Sequence, residues 1–184
     1  MYLQTTSGED PGTGGNNGII GDLTSDTTIT LTNNGSGNMN MVNKNGSNMI
    51  AYIWANIPGI QRSGLYQANG NADGPYIDLG FKPGFVVFKG TSGGGSRNWG
   101  IADSTRSPFN VVNHTLAFNL NNNEAAFGPG VNMFGSGNEI DFLSNGIKIR
   151  DTGQWVNTGT ENYIYMAWAE NPGHNLWGGQ ATAR

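Results

Sequence analysis

Few residues in this sequence could do chemistry, and their spacing narrows what that chemistry would be. Asn69, Asn71 and Asp73 place side-chain oxygens at alternate positions, Gly74 follows, and Asp78 adds a carboxylate. Oxygen donors at alternate positions before a glycine resemble the first half of a calcium loop, so these four are candidate calcium ligands. The closing bidentate glutamate is missing. The simpler reading is an Asx-rich turn whose side chains bond the local backbone. Asp103 stands three residues before Arg106. On one turn they can form a bidentate ion pair, which orders a loop or offers polar contacts to a sugar or peptide. Trp99, Trp155 and Trp177 lie beside Gly, Asn, Gln or Leu rather than inside apolar runs. Partly exposed indoles stack on the C–H faces of sugars, and packed indoles serve a core or an interface. These three tryptophans, with Asp103 and Arg106, are the candidate ligand-binding residues.

Other chemistries find little support. His114 and His174 are the two histidines, without further ligands at zinc spacing. Glu139 and Asp141 share a face if the chain is extended there, which would suit glycosidase chemistry. They lie on a hairpin arm beside Asn145-Gly146, and a solvated strand face is the simpler reading. The chain has no cysteine, which excludes disulfides, thiolate metal sites and a thiol nucleophile. No catalytic residue is assigned, and the expectation is a protein that is not an enzyme.

The elements that must position these residues are strands. The 184 residues include 30 Gly and 26 Asn, and only 12% are charged. Gly and Asn are poor helix formers and good turn formers, so a helical bundle is excluded. Nine basic against 13 acidic residues leave a net charge of −4, which offers nucleic acid or an anionic membrane no basic surface. No apolar run approaches the roughly 20 residues of a membrane helix, and Met1 to Gln4 do not open a signal peptide.

Strands are expected at 27–32, 49–55, 76–81, 85–89, 98–102, 116–120 and 163–169. A hairpin is expected where Asn145-Gly146 separates Ile140 and Phe142 from Ile147 and Ile149. Trp54, Phe85, Phe88, Phe118, Phe142 and Trp168 are the expected large core residues. About ten short strands with frequent turns specify an all-β fold, an antiparallel β-sandwich of jelly-roll or laminin-G/lectin-like type.

Residues 42–59 align without gaps on 156–173, with eight of eighteen positions identical, including Asn43/Asn157, Trp54/Trp168 and Pro58-Gly59/Pro172-Gly173. This reads as a partial internal duplication. Residues 1–59 then form an incomplete first β unit, and 60–184 a complete sandwich. An incomplete unit leaves an edge for a neighbour to cover, so a homo-oligomer is expected.

The motifs "GNADGP", "GFKPGFVVFK", "DSTRSPFNVVN", "DFLSNGIKIR", "YIYMAWAENP" and the terminal "ATAR" follow one another between residues 70 and 184. In that order they resemble the C-terminal module of bacteriophage tail-fibre-like and virion appendage proteins, many from marine phages. The sequence departs from that pattern at 173–179 and at Thr182, where Asn is usual. The resemblance implies a virion structural component without enzymatic activity, assembled in the host cytoplasm with copies of itself (a trimer being one form) and other virion proteins. The resemblance supplies no binding residues; a cell-surface glycan is the candidate external partner for an adhesive role. The alternative reading is a stand-alone carbohydrate-binding, lectin-like module, helped by calcium.

Overall fold

A computed structural model describes residues 19–25, 28–32, 48, 50, 52–91, 98–121, 140–153 and 155–173. The chain divides into two compact units, Glu9–Trp54 and a larger one of Met1–Gly8 with Ala55–Arg184. The described residues contain strands and no helix, so none is long and apolar enough to cross a membrane.

In the smaller unit, β1 (Ile19–Ser25) pairs antiparallel with β2 (Thr28–Thr32), with irregular register on either side of Leu23. The expected strand at 49–55 is not seen. Its described residues, 50 and 52–55, carry no strand, and Ile50, Tyr52 and Ile53 are exposed. Trp54 is 49% exposed and stacks on Tyr52 instead of entering the core. The apolar run misled because apolarity alone does not supply a pairing partner, and the corresponding run at 163–169 already has both of its partners.

The larger unit is an antiparallel β-sandwich. Its five-stranded sheet has the order β3 (Gln61–Gln67), β10 (Asn162–Ala169), β5 (Pro83–Gly90), β6 (Gly100–Asp103), β7 (Thr115–Ala117). The facing three-stranded sheet runs β4 (Tyr76–Asp78), β9 (Gly146–Ile149), β8 (Ile140–Leu143). Alternation sorts the residues of each strand between two faces. Val86, Phe88, Ala102, Tyr165 and Ala167 from the larger sheet meet Ile77, Phe142, Ile140, Ile147 and Ile149 from the smaller one in a single buried cluster. Phe88 and Phe142 are therefore core, as expected. Phe85 and Trp168 pair on the opposite face of the larger sheet, with ring centroids 5.4 Å apart, and are only half-buried. Phe118 is 54% exposed, because β7 stops at Ala117 and residues 118–119 turn.

Two edges are closed by asparagine side chains rather than by strands. Phe142 N–H donates to Asn110 Oδ1 (2.8 Å), and Asn110 Nδ2 donates to the Phe142 carbonyl (3.0 Å). Val112 adds a bridge to Ile140. On β3, Asn56 makes the same pair of bonds with the Ser63 backbone, at 2.7 and 3.2 Å. A primary amide carries one acceptor and one donor group side by side, so it can stand in for one residue of a missing strand.

Lys89 is wholly buried on β5, with its ammonium 5.5 Å from the centre of the Trp99 ring. Burial lowers its pKa to about 8 from the ordinary 10.5. Between those values the unfolded chain holds a proton that the folded chain has shed, so raising the pH favours folding. Burial also raises the Tyr66 phenol well above 10, and the charge of nearby Tyr163 adds to this. The unfolded phenol ionises first, so stability falls again above pH 10. Denaturant melts from pH 7.5 to 11 should therefore rise and then fall. Lys89→Met should remove the rise and keep the fall. A flat wild-type profile between pH 8 and 9.5 would refute this account.

Candidate functional site

Three turns gather the polar side chains. The first is Asn69–Asp73. Asn69 Oδ1 accepts from Asn71 N–H (3.0 Å), Asn71 Oδ1 accepts from Asp73 N–H (2.9 Å), and Asn69 Nδ2 donates to the Asp73 carbonyl (3.0 Å). These are successive Asx turns. Lys148 reaches across from β9, with Nζ 2.6 Å from Asp73 Oδ1 and 2.5 Å from the Gly74 carbonyl. Its hydrogen bond and charge hold the Asp73 carboxyl below its usual range. Asp78 lies apart and accepts from Gly80 N–H (3.2 Å). The four proposed calcium ligands thus do not converge. Their oxygens face backbone N–H groups, and an ammonium already stands where a cation would be needed. Calcium and a chelator should leave the melting temperature unchanged. A rise with calcium that Asp73→Asn removes would restore the metal reading.

Asn157, which is fully buried, ties this turn to the body of the sandwich. Its Oδ1 accepts from Asn69 N–H (2.8 Å). Its Nδ2 lies 2.7 Å from the Asn71 carbonyl, 2.8 Å from the Asp151 carbonyl and 3.1 Å from Asn69 Oδ1. Sequence reasoning gave Asn157 no role. The signal was its identity with Asn43 at a polar position of the repeat.

The second turn follows β6. Asp103 Oδ1 accepts from the backbone N–H groups of Thr105 (3.0 Å) and Arg106 (2.8 Å). Its Oδ2 takes both Arg106 Nε (2.6 Å) and Nη2 (2.5 Å). The ion pair forms as expected, with both guanidinium nitrogens on one oxygen because the other oxygen caps the turn. Asp141 is similarly engaged, 2.7 Å from Arg150 Nε.

Two of the three candidate tryptophans are described, and both are at least partly buried. Trp99 is buried with the Lys89 ammonium over its ring, which corrects the expectation of a partly exposed sugar-binding indole. Trp155 is partly buried against the core cluster. Trp177, His174 and Glu139 lie outside the described residues. His114 N–H donates to Ser107 Oγ (3.1 Å), which orders the loop before β7.

The third turn forms the wall of a groove that sequence reasoning missed. Ile57 and Gln61 close a tight turn through reciprocal backbone bonds of 2.9 and 3.0 Å, with Gly59 at φ 71°. Facing it is the turn after β4, where Leu79 and Gly80 N–H both donate to the Asn145 carbonyl at the tip of the β8–β9 hairpin (2.9 and 3.0 Å). Between them opens a groove of about 360 Å³, at the small end of ligand sites. Ile57, Pro58 and Leu79 give it apolar walls, and Arg62 is the charged residue lining it. Arg62 comes from β3, the edge of the larger sheet, and Leu79 and Gly80 follow β4, the edge of the smaller one. The groove is the open mouth of the sandwich between two edge strands.

Arg62 lies two residues before Gly64 on β3, and the Tyr165 ring lies over Gly64. A methyl group at Gly64 would stand 2.8 Å from the phenol oxygen. Burial raises the Tyr165 pKa, the charge of nearby Arg62 opposes that shift, and Asp78 adds to it. The amides beside Arg62 are largely committed, Asn56 to Ser63, and Gln61 to the Ala55 carbonyl and to Trp168 Nε1 (3.0 Å).

A family described as a domain of unknown function, DUF7483, matches residues 3–172. The chain belongs to this family. The DUF7483 match spans both compact units and takes in the groove, the Asn157 hub and the Asp103–Arg106 turn. No curated protein and no solved structure matches the chain.

Proposed function

We propose that the protein is a structural module of a bacteriophage virion, of tail-fibre or appendage type, and that it contacts a host-surface glycan through the groove between β3 and β4. The groove carries this reading. It sits at the mouth of a sandwich and combines apolar walls with one guanidinium, that of Arg62. The motif resemblance at residues 70–184 supports the virion setting. The all-β architecture suits both a fibre and an adhesin, although fold alone does not assign function. The role is binding rather than turnover, and the location is the virion after assembly in the host cytoplasm.

One shallow groove gives weak contacts, and several copies on one particle multiply them through effective concentration. The partners are then further copies of this chain and other virion proteins. Two measurements test this. Light scattering of the intact chain across a dilution series should give a stable oligomer, and a monomer would favour a stand-alone binding module. A glycan array probed with the protein displayed on beads should give binding that Ile57→Arg and Leu79→Ala both weaken. A blank array, or binding indifferent to both substitutions, would remove the groove from the account.

A further inference from the structure

We infer that the groove is selective for sugars bearing an oxyanion, with Arg62 as the residue that takes the charge. This rests on the glycan reading above and names its ligand class. A neutral-sugar site needs several free side-chain donors and acceptors to match hydroxyl groups. The groove does not present them, because Asn56 and Gln61 spend their amides on the backbone of β3 and its approach and on Trp168. The group left to face a ligand is the Arg62 guanidinium.

Among the described residues, Arg106, Arg150, Lys148 and Lys82 are paired at 2.5 to 2.7 Å with Asp103, Asp141, Asp73 and Glu170, and Lys89 is buried beside the Trp99 ring. Arg62 is different. It makes no ion pair with a described residue, and the Tyr165 phenol near it stays neutral because burial raises its pKa. Among the described residues, one guanidinium is thus left in the mouth of the sandwich without an ion-paired carboxylate, with Asp78 acting beside it on Tyr165. Guanidinium offers five donors in a planar fork that fits two oxygens of a carboxylate, a sulfate ester or a phosphate ester. The apolar walls at Ile57, Pro58 and Leu79 would cover the C–H face of the same ring. Tyr165 pairs with Gly64, two residues along β3 from Arg62, and brings no charge to neutralise it.

The test uses the intact chain and isothermal titration with defined oligosaccharides of galacturonate, glucuronate and N-acetylneuraminate. Each is paired with its carboxyl methyl ester, and dextran sulfate is paired with dextran. The expected result is binding by an acidic member, loss of at least tenfold in its ester, and a similar loss in Arg62→Gln. Arg62→Lys should recover part of the affinity, because it keeps the charge and loses the fork. Binding by dextran sulfate alone, lost in Arg62→Gln, would support the oxyanion site and assign the ester as its source. Equal binding of acid and methyl ester, or an unchanged affinity in a folded Arg62→Gln, would overturn the inference. Array hits confined to neutral glycans that need Ile57 and Leu79 would overturn it while leaving the groove as a glycan site. An array and titrations both blank would overturn the glycan reading and the inference with it. Arg62 is exposed on an edge strand, so the variants should melt with the wild type. Should Arg62→Gln unfold, Arg62→Lys carries the same test: it should weaken acidic ligands more than neutral ones, and an equal effect on both would overturn the inference.

Discussion

Asn157→Ala should lower the stability of the protein by about 3 kcal/mol, far more than a polar-to-alanine change on the surface. The estimate follows from what the substitution strands. A net hydrogen bond contributes about 1 kcal/mol, but a buried group left without its partner costs about 1–3 kcal/mol. Removing the Asn157 amide leaves the Asn69 N–H and the carbonyls of Asn71 and Asp151 without it. Asp151 is itself buried, with Oδ1 accepting from Thr152 and Gly153 and Oδ2 buried without a hydrogen-bond partner. Burial raises its pKa despite those two bonds. Loosening this corner exposes Asp151 to water, which relieves part of the cost and keeps the estimate from being larger. Asn157→Asp should be as damaging, because a carboxylate would face the two carbonyls that Nδ2 now serves. Denaturant melts of both variants check this. A loss under 1 kcal/mol in Asn157→Ala would mean that water replaces the amide and that the hub does not hold the turn.

Local signals were legible in the sequence and long-range ones were not. The Asx turns at 69–73 and the Asp103–Arg106 pair are built within three or four residues, so spacing suffices to expect them. The β8–β9 hairpin was legible for the same reason, with one shift: Leu143 pairs with Gly146, so the two-residue loop is Ser144-Asn145 and Gly146 opens β9. β5 and β10 announced themselves by apolar content, because both lie inside the larger sheet.

The groove was invisible because it depends on β3. The sequence of that strand, QRSGLYQ, has little apolar alternation. It becomes a strand because β10 needs a second neighbour, and β10 supplies seven consecutive register partners from Trp168 to Asn162. The repeat pointed the other way, since residues 50–55 share Ile, Trp and Ala with β10. Identity at those positions did not give 50–55 the same neighbours, and its aromatic residues are exposed. Trp99 shows the converse. Its polar sequence neighbours suggested an exposed indole, but Asn98 beside it is buried too, bonded to Asn119 at 2.7 Å. In a chain this rich in Asn, a polar neighbour is a weak sign of solvent.

Gly146→Ala is the second change with a large expected effect, about 3 kcal/mol, and it should also impair the groove. Overpacking a core position costs about 1–3 kcal/mol when side chains can adjust. Here the obstacle includes backbone. A methyl group at Gly146 would collide with the Ile77 carbonyl oxygen and stand 3.0 Å from the Tyr76 ring. Gly146 pairs with Asp78 on β4, so the clash can be relieved only by moving β4 away from β9. β4 leads directly into Leu79 and Gly80, one wall of the groove, and these bond to the Asn145 carbonyl beside the substituted residue. Gly80 gives the contrast. It has φ 76°, with open space where a methyl would go, so Gly80→Ala should cost only the left-handed backbone strain of about 1 kcal/mol. Melts of the two variants, read beside binding of an acidic oligosaccharide, separate the effects. Gly146→Ala should lose both stability and affinity, and Gly80→Ala should keep most of its stability. Equal losses in stability would mean that the smaller sheet yields at Gly146 without moving β4, and the groove wall would not depend on that contact.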